Sequence, residues 1–185
     1  MIGIRRARPS DASAIAAVHV AAWQSTYPGI LPEAYLARLS TIRQAAHYDH
    51  AIRTDGGVFV AAAWGADLPQ GSPPRVVGFT TVGPARTSGI AEGEIETLYV
   101  LDDWRDRGLG RRLMRAAGGY LQARGCRSAF LWVLRDNPSR WFYTRLGGRA
   151  VAESVIRVAG QPVAQTAFLW DPIERLLQTS SPQVG

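Results

Sequence analysis

The sequence predicts a single α+β domain, a three-layer α/β arrangement in which helices flank a mixed β-sheet. Three observations predict it. Residues 93–134 read as a strand, a glycine-rich turn, an amphipathic helix and a buried strand, a unit of the size expected for a right-handed parallel crossover. Ahead of it, two helical stretches are followed by two strands that a Pro/Gly-rich loop separates. Behind it, two strand-like runs surround Gly160 as a hairpin. A chain of 185 residues suits one well-buried core better than two, so residues 1–172 are expected to form one domain and 173–185 a loosely held C-terminal tail.

In chain order, Ser10 reads as the N-cap of a helix over 11–25, in which Ile15, Val18, His19 and Ala22 recur at helical spacing. Tyr27-Pro28-Gly29 ends it. A second helical stretch over 32–53 carries Tyr35, Leu36, Leu39, Ile42 and Ala46. Strands at 57–63 and 75–82 flank Pro69, Gly71, Pro73 and Pro74. Residues 93–100 form a strand whose alternation puts Glu94, Glu96, Leu98 and Val100 on one face. The helix over 108–124 sets Leu109, Leu113, Ala116, Ala117, Tyr120 and Leu121 against Arg111, Arg112, Arg115 and Gln122, and Gly125 stops it. Residues 127–134 are an apolar run suited to a buried parallel strand. Asn137-Pro138 supplies an N-cap and an N1 proline for a short helix to Leu146, and strands at 149–158 and 162–170 complete the chain.

Composition narrows the function classes. Apolar residues make up 46% and charged residues 19%, far from the signature of disorder. No apolar run approaches the roughly 20 residues that span a bilayer, and the Arg-rich start lacks the apolar segment of a signal peptide. The expected location is the cytoplasm, with no membrane partner. A single cysteine, Cys126, excludes an internal disulfide. All 21 basic residues behind the net charge of +6 are arginines. The densest stretch, Arg105 to Arg115, gathers five arginines around two glycines. Charge at a glycine turn points to a phosphate site. A nucleic-acid partner is not expected, because stacking aromatics do not interleave with these arginines.

The sequence Arg105-Asp106-Arg107-Gly108-Leu109-Gly110 opens the helix that follows the central strand, and Asn-Pro-Ser-Arg-Trp-Phe-Tyr-Thr-Arg-Leu-Gly spans 137–147. Together they resemble the GNAT N-acetyltransferase superfamily: the first matches its acetyl-CoA motif (Arg or Gln, two residues, Gly, one residue, Gly or Ala), the second its later helix with Asn and a Phe-Tyr pair. The resemblance covers roughly residues 3–170. The motif also has its own physics. Glycines let the backbone approach a pyrophosphate, the helix N-terminus offers unpaired N–H groups, and Arg105, Arg107, Arg111 and Arg112 add positive charge.

The resemblance implies a GNAT fold, with a mixed central sheet of about six to seven strands splayed between the fourth and fifth strands. It implies acetyl-CoA as cosubstrate, held by Leu98, Tyr99, Val100, Arg105, Asp106, Arg107, Gly108, Leu109, Gly110, Arg111, Asn137, Ser139 and Phe142. Backbone groups of Leu98 and Val100 would pair with the pantetheine arm like an added strand. The implied reaction is acetyl transfer to a primary amine of a small molecule by direct attack in a ternary complex. A lysine-like ammonium with a pKa near 10.4 must lose about 4 to 5 kcal/mol worth of protonation at neutral pH, so a base is useful. Glu94 aligns best with that role and is favoured narrowly over Glu96; for either, the alternative is an ion pair or contact with a cationic substrate. Tyr143, about 100° around the helix from a core-facing Phe142, is the implied proton donor to the leaving thiolate.

Other residues carry weaker expectations. Trp23, Tyr27, Tyr35 and Trp64 are candidates to line the acceptor pocket. His19, His47 and His50 lack a ligand pattern, so no metal is expected, and Cys126 reads as a buried structural thiol. The segment from Ala22 to Pro32 resembles a bacterial branch of general acetyltransferases. A homodimer is left open. The alternatives are a protein N-terminal acetyltransferase, which needs an open peptide groove, and a non-catalytic CoA-binding sensor.

Overall fold

The structure is a computed structural model and describes residues 1–54 and 56–181. Its frame is one seven-stranded sheet, ordered β1-β2-β3-β4-β5-β7-β6. In chain order the strands are β1 (Ile2–Arg6), β2 (Gly57–Ala63), β3 (Arg75–Pro84), β4 (Gly93–Val100), β5 (Ala129–Leu134), β6 (Arg149–Val158) and β7 (Gln161–Trp170). Neighbours are antiparallel except β4 and β5, which run parallel. The helices are α1 (Ala12–Thr26), α2 (Glu33–Ala37), α3 (Thr41–Arg53), α4 (Leu109–Ala123), α5 (Arg140–Arg145) and α6 (Glu174–Thr179).

Strand alternation builds the three layers. On β2, Val58 and Val60 turn to one face and pack with Ile15, Ala16 and Val18 of α1 and Tyr48 of α3. Ala61 and Ala63 turn to the other and meet Leu109 and Leu113 of α4. Further along that second face, Ile95, Met114, Ala117, Leu121, Leu131 and Trp170 form the largest buried cluster. The mixed, helix-flanked sheet of the sequence reading is therefore present, and so is its splay. β4 and β5 pair only at Gly93↔Ala129 and Glu94↔Phe130, beyond which they part.

Several local expectations are corrected. β1 was not read: it is five residues long and pairs on one edge only, with β2. The stretch 32–53 is two helices, since Ser40 takes an N-cap conformation and its hydroxyl accepts from Arg43 N at 3.3 Å; Ile42, just inside α3, is 81% exposed. Ser10 does not cap α1. It lies in a single 3-10 turn, Pro9–Asp11, and Asp11 accepts from Arg8 N and the Arg5 guanidinium instead. Residues 173–181, expected as part of a loose tail, hold α6, and both its N-cap Ile173 and its Leu176 are fully buried in the α4 cluster. Residues 182–185 of that expected tail lie outside the described residues. The hairpin loop at Ala159-Gly160 has both residues at positive φ (49° and 82°), the geometry of a tight two-residue turn. Among the described residues no helix is long and apolar enough to cross a membrane.

Candidate active site

The parting of β4 and β5 opens a cleft of roughly 1700 Å³ through the middle of the sheet. Its floor follows from the β-ladder. Leu101 N–H donates to Val77 O at 2.9 Å, so alternate residues of β4 turn their backbone groups to β3. Leu98 and Val100 have the opposite parity. Their N–H and C=O groups face the gap that β5 has vacated, leaving an unpaired strand edge inside the protein.

One end of the cleft is basic. Leu101 is followed by a 3-10 turn, Asp102–Trp104, and then by two left-handed residues, Asp106 (φ 58°) and Gly108 (φ 70°), which swing the chain into α4. The first bond of α4 is Arg112 N to Gly108 O, so the preceding amides have no acceptor within the helix. Gly110 lines the cleft and has a second use: a Cβ there would sit 3.1 Å from the Phe142 ring, so this glycine also admits an aromatic side chain of α5. Arg105 is braced by Asp102 (2.7 Å) and the Thr26 hydroxyl (3.2 Å), and Arg112 by Ile2 O (2.8 Å). Arg115 bonds Leu177 O and the Ser181 hydroxyl. Arg111 has no ion-pair partner among the described residues and lines the cleft. Arg107 does not line it; its guanidinium lies 4.7 Å from the Trp104 ring.

The far wall comes from α5. Asn137 Oδ1 accepts from Ser139 N at 2.8 Å and so fixes the turn ahead of the helix, which begins two residues later than the sequence pattern suggested. Its amide donates to the Tyr27 hydroxyl at 3.3 Å, tying the end of α1 to the α5 wall. Phe142 and Tyr143 both line the cleft, and Tyr143 is the more deeply buried of the two. Phe142 is partly buried beside Gly110, while Tyr143 is the core residue, packed against Phe168 and Trp170 but still bordering the cleft. Burial raises the phenol pKa of Tyr143 above its ordinary value, and does the same to Tyr27 and Tyr99. All three stay protonated at neutral pH.

The two glutamates lie at the opposite end from the basic turn, and a bulge decides their surroundings. The β3–β4 register slips between Thr81 and Val82, which face Thr97 and Ile95, so Glu96 is the extra residue. The slip leaves Glu94 and Glu96 together but turns Leu98 toward the α4 side, so the four residues do not share the face that simple alternation predicted. Glu94 is 3% exposed and clamped by Arg86: Nη2 donates to Oε1 at 2.7 Å, Nε to Oε2 at 3.1 Å and the backbone N to Oε2 at 3.0 Å. Glu96 is 31% exposed. It accepts from the Thr81 hydroxyl at 3.2 Å and keeps a looser 3.7 Å approach to Arg86 Nε.

Arg86 was missed by sequence reasoning. It stands in a loop and becomes Glu94's partner only because the β3–β4 hairpin pairs Gly83 with Glu94. Trp132, Leu134, Ile156 and Val158 also line the cleft unannounced. Of the acceptor-pocket candidates, Trp23 and Tyr27 do line it. Tyr35 packs behind Trp23, and Trp64 lies at the other edge of the sheet against Gly3. His19 sits under the cleft floor, its Nδ1 2.6 Å from the Tyr48 hydroxyl, and burial, with His47 adding, lowers its pKa from 6.5 to about 4. Cys126 is only partly buried, and burial raises its thiol pKa. Among the described residues no group of His, Cys, Asp and Glu is placed to hold a metal.

The chain resembles known proteins along most of its length. It is 32% identical over 177 residues, 95% of the chain and 96% of the relative, to YuaI of Bacillus subtilis (strain 168), an uncharacterized N-acetyltransferase. The ribosomal-protein-alanine N-acetyltransferase of Brucella melitensis shares the fold with a TM-score of 0.68 at 19% identity, covering 91% of this chain and 99% of that one. The PaiA N-acetyltransferase of Thermoplasma acidophilum, solved in complex with coenzyme A, does so with a TM-score of 0.62 at 20% identity over 90% and 98%. The acetyltransferase (GNAT) family model matches residues 19–148, which contain β4, the basic turn, α4 and α5. With the split sheet, the open start of α4 and this match in hand, the chain belongs to the acetyltransferase (GNAT) family.

Proposed function

We propose that the protein transfers the acetyl group of acetyl-CoA to a primary amine of a small molecule, by direct attack within a ternary complex. The observation that carries this reading is the unpaired edge of β4. It runs from the open N-terminus of α4, where an anion belongs, to the two glutamates, where a cation belongs. An extended pantetheine arm has amides that can take up the free groups of Leu98 and Val100. The pyrophosphate then meets the amides of Gly108 to Arg111 and the Arg105 and Arg111 side chains. Asn137, Ser139 and Phe142 form the facing wall. The coenzyme A bound by PaiA supports the same donor here.

The chain's own groups divide the proton transfers. The amine arrives as an ammonium, and exposing its lone pair at neutral pH costs about 4 to 5 kcal/mol. Glu94 is the residue that the family resemblance favours as base, but its two oxygens already accept three N–H groups and only 3% of its side chain is exposed. We therefore assign the base to Glu96, directly or through a water, and give Glu94 the task of holding Arg86 and the hairpin loop in place. The freed nitrogen attacks the thioester carbonyl and a C–N bond forms; as the tetrahedral intermediate collapses the C–S bond breaks, the nitrogen gives its second proton to water, and water in turn restores the proton that the Tyr143 phenol loses. Tyr143, kept protonated by burial, donates to the departing sulfur.

A protein N-terminal acetyltransferase needs an open groove. Here Tyr27, Leu31 and Leu36 pack on Val163 and Val158 of the last hairpin, and the Tyr27–Asn137 bond closes the same side. That covering supports a small acceptor. The test is the initial rate of thiol release with acetyl-CoA and amine both varied. Intersecting double-reciprocal lines are expected. Parallel lines contradict direct attack, and the absence of amine-dependent release contradicts the function.

A further inference from the structure

The acceptor end of the cleft has an asymmetry that bears on which amines it takes. Two carboxylates, Glu94 and Glu96, face it, and one of them is already neutralised by the side-on Arg86 pair. The only other carboxylate lining the cleft among the described residues is Asp106, in the turn before α4. One net negative charge is therefore left to meet a substrate cation. Along one side of the cleft the lining is apolar, while Thr87, Thr97 and Gln165 add uncharged polar groups. Trp23 of α1 and Tyr27 just after it pack in one cluster with Leu134 of β5 and Val158 of β6, and Ile156, 36% exposed, extends this wall along the hairpin. Trp132 joins the same side of β5.

We infer that the acceptor is a primary amine carrying a single positive charge on an apolar body, and that polycationic amines are poor substrates. This rests on the acetyl-transfer reading above and narrows it. A second ammonium would leave water for a wall of Trp, Leu, Ile and Val side chains with no carboxylate to receive it, at a desolvation cost that the first ammonium escapes at Glu96. An alkyl or aryl group in the same place is stabilised by leaving water. An extended acidic face, which a polyamine or aminoglycoside would require, is missing from the lining residues described.

The matched probes are hexylamine and 1,6-diaminohexane, which differ by one terminal ammonium, with 2-phenylethylamine and spermidine as wider members of each class. The readout is kcat/KM for thiol release at saturating acetyl-CoA. Hexylamine and 2-phenylethylamine should exceed the diamine and spermidine by at least about tenfold, the scale on which an apolar pocket discriminates. Ile156→Asp, at a partly exposed position outside the proposed proton-transfer groups, should shift the hexylamine to diaminohexane ratio toward the diamine by about the same factor. Equal values, or a preference for the polycations in the unaltered protein, overturn the inference while leaving acetyl transfer standing. No thiol release with any of the four amines overturns the transfer reading and the inference with it.

Discussion

Replacing the two glutamates one at a time separates a structural carboxylate from a chemical one. Glu94 receives three N–H groups from Arg86 and is 3% exposed, whereas Glu96 is 31% exposed and has one hydroxyl donor. In Glu94→Gln one oxygen becomes an NH₂ group that faces an Arg86 donor, so one charge-assisted bond is lost and two donors confront each other. Such a bond contributes about 1.5 to 3 kcal/mol when buried. Arg86 is 65% exposed and water can reach its outer edge, which brings the expected loss to about 1 to 2 kcal/mol. At about 2 to 4 °C per kcal/mol for a chain of this size, thermal unfolding should fall by roughly 2 to 8 °C. Its kcat should change less than about tenfold. Glu96→Gln should behave oppositely, with the unfolding temperature nearly unmoved and kcat lower by about 100-fold or more, the ordinary range for removing a general base. Scanning fluorimetry and thiol-release kinetics on the same preparations make the comparison. A Glu94→Gln enzyme of unchanged stability and abolished kcat, beside an active Glu96→Gln enzyme, would refute the assignment.

Three further outcomes follow from the geometry. Tyr143→Phe should lower kcat while leaving acetyl-CoA affinity within about twofold, and, because burial raises the phenol pKa, the unaltered enzyme should show no fall in kcat attributable to this group up to pH 10. Gly108→Ala should cost about 1 to 2 kcal/mol of stability, since φ is 70° there, and should weaken acetyl-CoA binding; calorimetry and denaturant unfolding read the two effects. His19 has a folded pKa of about 4 against 6.5 for the free side chain, so the unfolded chain takes up its proton first. Stability from this group is intact above about pH 6.5, declines as pH falls toward 4 and levels off below, by about 3 kcal/mol in all; the slope in urea unfolding should flatten in His19→Phe.

How far the sequence carried depended on whether the signal was local. The crossover unit was legible because glycine, helix amphipathicity and an apolar run each act over a few residues, and the cleft's basic end came with it. The Ser40 break was also a local signal, but the long helical stretch around it masked the cap. The bulge at Glu96 and the Arg86 clamp were not legible, since both arise where β3 meets β4 and no periodicity within one strand encodes a register slip. The depth of Tyr143 relative to Phe142 has the same origin: Gly110 on another helix leaves room for one ring, and Trp170 on a distant strand receives the other. The apolar acceptor wall draws on α1, β5 and β6, which only the tertiary fold brings together.

The central claim is that the inner edge of β4 binds the pantetheine arm of acetyl-CoA, and a calorimetric titration of acetyl-CoA into the unaltered protein and Val100→Pro tests it most directly. Proline at 100 removes an N–H that faces the gap and leaves the bond from Leu101 to Val77 in place. Saturable binding of one molecule per chain, weakened between a few-fold and about tenfold in the variant as the loss of one hydrogen bond dictates, is the expected result. No saturable binding, or equal affinity in a Val100→Pro protein that remains folded, would contradict the claim.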